Sequence, residues 1–148
     1  PRMALSDRNG ETLIHIAGNS TSSSLLPMSE LHAQAAPSSR YRGSETTPVS
    51  RLADVRLAEL EGARRPFLKV DTQGHELPVL RGCGQTLERI VGVQVELSVV
   101  ALYEGQETYQ GVMGFLQEQG FDLWNVLPGF VDPQSGRMLQ FDGVFFRP

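Results

Sequence analysis

The stretch FLKVDTQGHELPVLRG, residues 67–82, passes from an extended pattern to a helical one within a few residues. FLKVD is a short apolar run that ends in a carboxylate, Asp71, which is typical of a buried parallel strand. TQG predicts a tight turn, and the spacing of Leu77 and Leu80 puts both side chains on one face of a helix over residues 75–81. The segment therefore predicts a strand–turn–helix unit, as in an α/β fold.

The same alternation of strand and helix continues towards the C-terminus. VGVQVELS, residues 91–98, alternates apolar and polar residues and predicts a strand whose valines and Leu97 share one face. An apolar stripe predicts a helix over residues 108–119, and strands are predicted over residues 121–127 and 138–146. Alternating strands and helices favour a mostly parallel, doubly wound sheet, and the closing strand pair implies one antiparallel member.

The first third of the chain, residues 1–50, is polar and irregular. Residues 11–18 alternate enough to predict a strand, and residues 24–28 could return as its partner. Scattered Pro, Ser, Gly and Arg over residues 34–47 predict a mobile loop. We therefore treat residues 1–50 as a strand–loop region of one domain, 1–148.

A strand–helix core is predicted over residues 51–148, beginning with a short helix that Ser50 caps and that runs through Leu60. The net charge of −4 offers no basic field for nucleic acid. The single cysteine, Cys83, excludes an internal disulfide and a cysteine-rich zinc site. Since no apolar run approaches the ~20 residues of a membrane span and no signal-peptide pattern is present, we expect a cytoplasmic protein.

Several motifs occur in an order and at a spacing that resemble the FkbM family of methyltransferases. They are LKVDTQGHELPVLRG (68–82), QVELS (94–98), LYEG (102–105), EQGFDL (118–123) and GRMLQFDGVFF (136–146). The resemblance implies a class I, Rossmann-like fold and transfer of a methyl group from S-adenosylmethionine to an oxygen. The implied acceptor is a hydroxyl of a sugar, lipid or polyketide-like molecule.

Methyltransferases of this fold bind the cofactor on a glycine-rich loop after their first strand, and this chain has no such loop. Gly82-Cys83-Gly84 follows a helix and is expected to end it. We therefore expect the chain to be the C-terminal part of the domain, with its first strands upstream of Pro1. Residues 67–71 would then form an exposed sheet edge that favours self-association, and S-adenosylmethionine would bind weakly.

The candidate catalytic residues are Asp71, His75 and Glu96, because ligands of open α/β sheets bind beyond the carboxyl ends of the strands. Either a histidine or a carboxylate can remove the proton of an acceptor hydroxyl. Alternatives stay open: Asp71 could cap the following helix, His75 could be an exposed residue of the helix start, and Glu96 could be a solvated charge. A metal site formed by Asp71, His75 and Glu76 is a further alternative, but the spacing matches no strong metal motif.

The resemblance also implies binding residues around these carboxylates. Ser6 and Asp7, together with Asp71, are expected to contact the cofactor, and Tyr103 and Glu104 are expected to meet the acceptor. The two histidines of the first third, His15 and His32, are expected to be structural or exposed. Two rival functions remain: a non-catalytic, methyltransferase-like binding module and another nucleotide-using α/β enzyme.

Overall fold

The computed structural model describes residues 2–19, 21–56 and 61–148, which form two β-sheets and four α-helices. The strands are β1 (Ala4–Leu5), β2 (Gly10–Ala17), β3 (Tyr41–Ser50), β4 (Phe67–Val70), β5 (Gly92–Ser98), β6 (Asp122–Pro128) and β7 (Gln140–Phe146). The helices are α1 (Glu30–Ala35), α2 (Glu76–Gly82), α3 (Thr86–Arg89) and α4 (Tyr109–Glu118). The predicted mixture of helices and strands is confirmed. None of the described helices is long and apolar enough to cross a membrane.

The four-stranded sheet has the order β4-β5-β7-β6. Strands β4 and β5 are parallel, whereas β7 runs antiparallel to both β5 and β6. Strand β6 therefore runs in the same direction as β4 and β5, and the expected mostly parallel sheet with one antiparallel member, β7, is confirmed for the described strands. The antiparallel member arises from the last connection: no helix separates β6 from β7, so β7 turns back and pairs antiparallel on both of its sides.

One face of this sheet forms the core with the helices. Val93, Val95 and Leu97 of β5 are fully buried, as their alternation predicts, and they pack in one cluster with Val112 and Leu116 of α4. Burial of each such side chain contributes about 1.5–3 kcal/mol. The packing fixes the register of β5, because a slip of one residue would turn all three apolar side chains away from the helices.

The opposite face and the β4 edge are much less covered. Among the described strands β4 pairs with β5 alone, so the prediction of a sheet edge at residues 67–71 is confirmed. Phe67 is 47% exposed and contacts Phe146, which in turn contacts the exposed Trp124. Self-association through this edge stays a prediction.

The first third of the chain is more regular than its composition indicates. Strand β3 pairs antiparallel with β2 and parallel with β1, so the mobile loop predicted over residues 34–47 is wrong. Backbone hydrogen bonds to β2 hold β3 although its side chains are mostly polar and exposed. The partner strand predicted over residues 24–28 is also wrong, because Ser24 makes only a single bridge, to His15.

Helix α2 packs directly against the end of β1. A methyl group built on Gly82 would overlap the Ser6 carbonyl oxygen, so only glycine allows this approach. Gly82 is helical, and the left-handed glycine after α2 is Gly84, with φ of 50°. Part of the helix predicted from Ser50 to Leu60 appears as the 3-10 turn Leu52–Asp54, whereas residues 57–60 lie outside the described residues.

Candidate functional site

Two carboxylates lie side by side where the parallel strands β4 and β5 end. Val70 is opposite Val95, so the register carries the next residue, Asp71, to the level of Glu96. The Gln73 amide joins them: its Nε2 donates to Asp71 Oδ1 at 3.0 Å and to Glu96 Oε2 at 2.9 Å. The structure thus brings together two predicted catalytic residues that are far apart in sequence.

The turn that carries Gln73 is held by a buried carboxylate. Glu76 is 2% exposed, and its Oε1 accepts hydrogen bonds from the backbone N–H of Thr72 at 3.0 Å and of Gly74 at 3.1 Å. These bonds hold Gln73 at a φ of 54°, a left-handed conformation that is unfavourable for a residue with a side chain. Glu76 therefore fixes the backbone from which Gln73 reaches both carboxylates.

Tyr103 is hydrogen-bonded to the side chain of Gln73 in the same turn. Its side chain is 1% exposed, and its hydroxyl donates to Gln73 Oε1 at 2.7 Å. Burial raises the pKa of the Tyr103 phenol, so the hydroxyl stays protonated and available as a donor. Gly74 lies so close to the Tyr103 ring that an added Cβ would be 2.8 Å from it. Tyr103 therefore orients Gln73, while its neighbour Glu104 is exposed.

The environment of Glu96 favours its neutral form near neutral pH. Burial first, and then the nearby charge of Asp71, raise the pKa of the Glu96 carboxyl to about 8. Gln140 Nε2 donates to Glu96 Oε2 at 2.7 Å, which opposes this shift in part. A carboxyl with a pKa near the working pH is suited to accept and release a proton.

These groups form the wall of an open cleft of about 400 Å³, which we call the carboxylate cleft. Its lining residues are Asn19, Thr21, Ser22, His32, Ala36, Asp71, Gln73, Glu96, Phe130 and Gln140. The cleft lies between the carboxyl ends of the parallel strands and the first third of the chain. This is the position at which open α/β sheets bind their ligands.

His32 is a lining residue that the sequence did not indicate. It is 3% exposed, and its ring contacts Tyr103 edge-on at 5.1 Å and Phe130 at 5.8 Å between centroids. Burial lowers the pKa of His32, so the imidazole is neutral near neutral pH. The sequence offered one signal for the helix that carries His32. Ser29 is a typical helix cap, and its hydroxyl caps α1 by accepting from His32 N at 3.3 Å.

A second cleft, of about 320 Å³, lies on the other side of Asp71, and we call it the serine cleft. Its lining residues are Met3, Ala4, Leu5, Ile14, Ser23, Ser24, Leu25, Asp71, Thr72 and His75. His75 therefore shares a cleft with Asp71 but does not line the one that contains Glu96. Four of the predicted site residues line neither cleft: Ser6, Asp7, Tyr103 and Glu104.

Ser6 and Asp7 form a hydrogen-bonded group with His75. The Ser6 hydroxyl lies 2.9 Å from His75 Nε2 and donates to Asp7 Oδ1 at 3.1 Å. Because the hydroxyl has one proton, it accepts from the imidazole, which places the His75 proton on Nε2. His75 Nδ1 is then a buried acceptor, and it has no hydrogen-bond partner among the described residues. Burial lowers the pKa of His75.

Comparison with known families gives one match. The family model of the methyltransferase FkbM domain matches residues 1–123, which include β1 to β5, α4 and both clefts except for Phe130 and Gln140. Comparison with curated proteins and with solved structures gave no match. The match covers most of the chain and contains the Asp71–Gln73–Glu96 group, and the chain therefore belongs to the FkbM methyltransferase family.

Proposed function

We propose that this chain takes part in transfer of a methyl group from S-adenosylmethionine to the oxygen of a hydroxyl group on a sugar, lipid or polyketide-like acceptor. Family membership supports methyl transfer in general. The observation that carries the choice of an oxygen acceptor is Glu96, a partly buried carboxyl whose pKa is raised to about 8 by desolvation and by the charge of Asp71. A hydroxyl needs such a proton acceptor as it attacks.

The proposal includes a Rossmann-like arrangement of the four-stranded sheet. The parallel pair β4 and β5, with α2 packed beside it, is the element that supports this arrangement. It also explains why Asp71 and Glu96 lie at the same end of the sheet, since parallel neighbouring strands have their carboxyl ends side by side.

The serine cleft has the chemistry that S-adenosylmethionine requires. Its apolar walls, which include Leu5 and Leu25, suit a nucleobase, and Asp71 supplies a negative charge opposite a positively charged group. The buried acceptor at His75 Nδ1 matches a hydroxyl or amine donor of a ligand. The residues present therefore fit the cofactor, and when bound it would supply an electrophilic methyl group on a cationic sulfur.

Glu96 is the proton acceptor in this proposal. The O–H bond of the acceptor breaks as its oxygen attacks, and the proton passes to the ionised form of Glu96, which is a minor fraction at neutral pH and grows as the pH rises through about 8. Gln73 and Gln140 both donate to Oε2, and no described group donates to Oε1, which is the atom we assign to the proton. His75 is less suited to this role, because its Nε2 is bound to Ser6 and the residue lies in the other cleft.

The test uses the native protein that contains this chain, with S-adenosylmethionine labelled in its methyl group and a panel of hydroxylated acceptors. Glu96→Gln keeps the shape and the acceptor oxygen, and we expect turnover to fall by roughly 10²–10⁴-fold, the usual contribution of a general base. Glu118→Gln, which alters an exposed glutamate of α4 that lines neither cleft, is the matched control and should keep the parent rate. His75→Asn should change turnover less than Glu96→Gln. Parent activity in Glu96→Gln would show that Glu96 is not the base.

A further inference from the structure

The carboxylate cleft contains a buried polar atom without a protein partner. His32 is 3% exposed, and its Nδ1 is buried. This nitrogen neither accepts nor donates a hydrogen bond among the described residues. A buried ring nitrogen in this state is unfavourable unless another group pairs with it. Because His32 lines the carboxylate cleft, a ligand in that cleft is the group best placed to do so.

The remaining wall of the cleft is also rich in hydrogen-bonding groups. Eight of its ten lining residues carry polar side chains, and only Ala36 and Phe130 are apolar. An alkyl chain in the cleft would remove these side chains from water without giving them partners. A small molecule with several hydroxyl groups would pair with them, and its C–H face would pack on the Phe130 ring.

We propose that the carboxylate cleft selects a sugar-like acceptor with several hydroxyl groups, and that His32 binds a hydroxyl other than the one that is methylated. This rests on the proposed function in one respect only, the assignment of Glu96 to the reacting hydroxyl. His32 and Glu96 belong to different parts of the chain, α1 and β5, and both line the carboxylate cleft. His32 is a specificity residue in this arrangement, and the proton goes to Glu96.

The first test measures binding in the absence of S-adenosylmethionine. Saturation-transfer NMR on the native protein uses the methyl α-pyranosides of D-glucose, D-mannose and D-galactose as probes, with 1-octanol as the apolar comparison. We expect at least one pyranoside to bind and 1-octanol not to bind in this cleft. The monodeoxy forms of the pyranoside that binds then locate the hydroxyl that His32 contacts, and loss of that hydroxyl should weaken binding about tenfold.

The second test uses two variants of His32 and a matched control. His32→Phe keeps a ring against Tyr103 and Phe130 but removes both nitrogens, and it should weaken pyranoside binding about tenfold. The same variant should bind the monodeoxy sugar as the parent does, because the lost hydroxyl and the lost nitrogen are partners. His32→Gln, which keeps a polar group, should restore part of the affinity. His15→Phe alters a histidine that stacks on Tyr41 away from the cleft, and it should change nothing.

The outcomes separate this inference from the proposed function. Binding of none of the three pyranosides, or equal binding by the parent and by a folded His32→Phe, overturns the role of His32 and the sugar-like acceptor. Methyl transfer to a lipid or polyketide-like hydroxyl alone would overturn the inference while the proposed function stands. Pyranoside binding that depends on His32, with Glu96→Gln at the parent rate, would support the inference and contradict the proposed base.

Discussion

Replacement of Glu96 by Gln should remove a large part of the pH dependence of stability. Burial, with the Asp71 charge, raises the pKa of Glu96 from 4.5 to about 8 in the folded chain. The folded state therefore holds a proton that the unfolded state loses above pH 4.5. The resulting contribution to stability is complete below pH 4.5 and is lost as the pH rises through about 8.

The magnitude follows from these two pKa values. Each pH unit between them changes the free energy of unfolding by up to about 1.4 kcal/mol, or about 4 kcal/mol from pH 5 to pH 9. Solvent in the open carboxylate cleft screens part of this effect, and we expect the free energy of unfolding to change by about 3 kcal/mol over this pH range. Gln at position 96 does not titrate and keeps an oxygen that can accept from Gln73 and Gln140. The two proteins should therefore have similar stability at pH 5, and Glu96→Gln should be about 3 kcal/mol more stable at pH 9.

The assay is urea unfolding followed by circular dichroism at pH 5, 7 and 9, with linear extrapolation to water. Glu104→Gln, which alters an exposed carboxylate, is the control and should follow the parent at every pH. The same pH dependence in the parent and in Glu96→Gln would refute the raised pKa. It would also remove the reason to choose Glu96 as the proton acceptor.

Three further predictions concern the support of the site. Gly82→Ala should destabilise the chain by about 2–4 kcal/mol in thermal unfolding, because the added methyl overlaps the Ser6 carbonyl oxygen. Its control is Gly114→Ala, in open space on α4, which should be neutral or slightly stabilising. Tyr103→Phe should cost about 1–2 kcal/mol through the lost bond to Gln73, measured by urea unfolding, and an unchanged midpoint would contradict it. The 148-residue chain should self-associate in sedimentation velocity, and Phe67→Lys on the β4 edge should weaken this; a parent monomer at all concentrations would exclude the edge as an interface.

The parts of the fold that the sequence predicted correctly are those whose burial is periodic. Strand β5 and helix α4 lie in the core, so their apolar residues repeat every two and every three to four positions. Strand β3 has no such pattern, because most of its side chains are exposed and it contains Gly43 and Pro48. Its partner β2 lies more than twenty residues away, so the pairing that stabilises it leaves no local signal.

The same distinction applies to the candidate site. Asp71 and Glu96 could be found from the sequence because each lies at the end of a recognisable strand, and parallel strands end together. His32 reaches the cleft only through the packing of distant segments and belongs to no motif. Gln140 belongs to the motif of residues 136–146, but no pattern in the sequence placed it beside Glu96. The cofactor contacts expected of Ser6 and Asp7 stay a prediction; in the structure the Ser6 hydroxyl contacts His75 Nε2 and donates to Asp7.

The choice of amide groups around Glu96 has a chemical consequence. Gln73 and Gln140 donate hydrogen bonds that orient the carboxyl without adding a positive charge. Lys69 Nζ contacts Asp71 Oδ2 at 3.3 Å, on the exposed edge of the sheet, and not Glu96. A lysine or arginine in place of either glutamine would stabilise the charged form of Glu96 and lower its pKa. A carboxylate with an ordinary pKa is a weaker base, so neutral donors preserve the property that the proposed proton transfer requires.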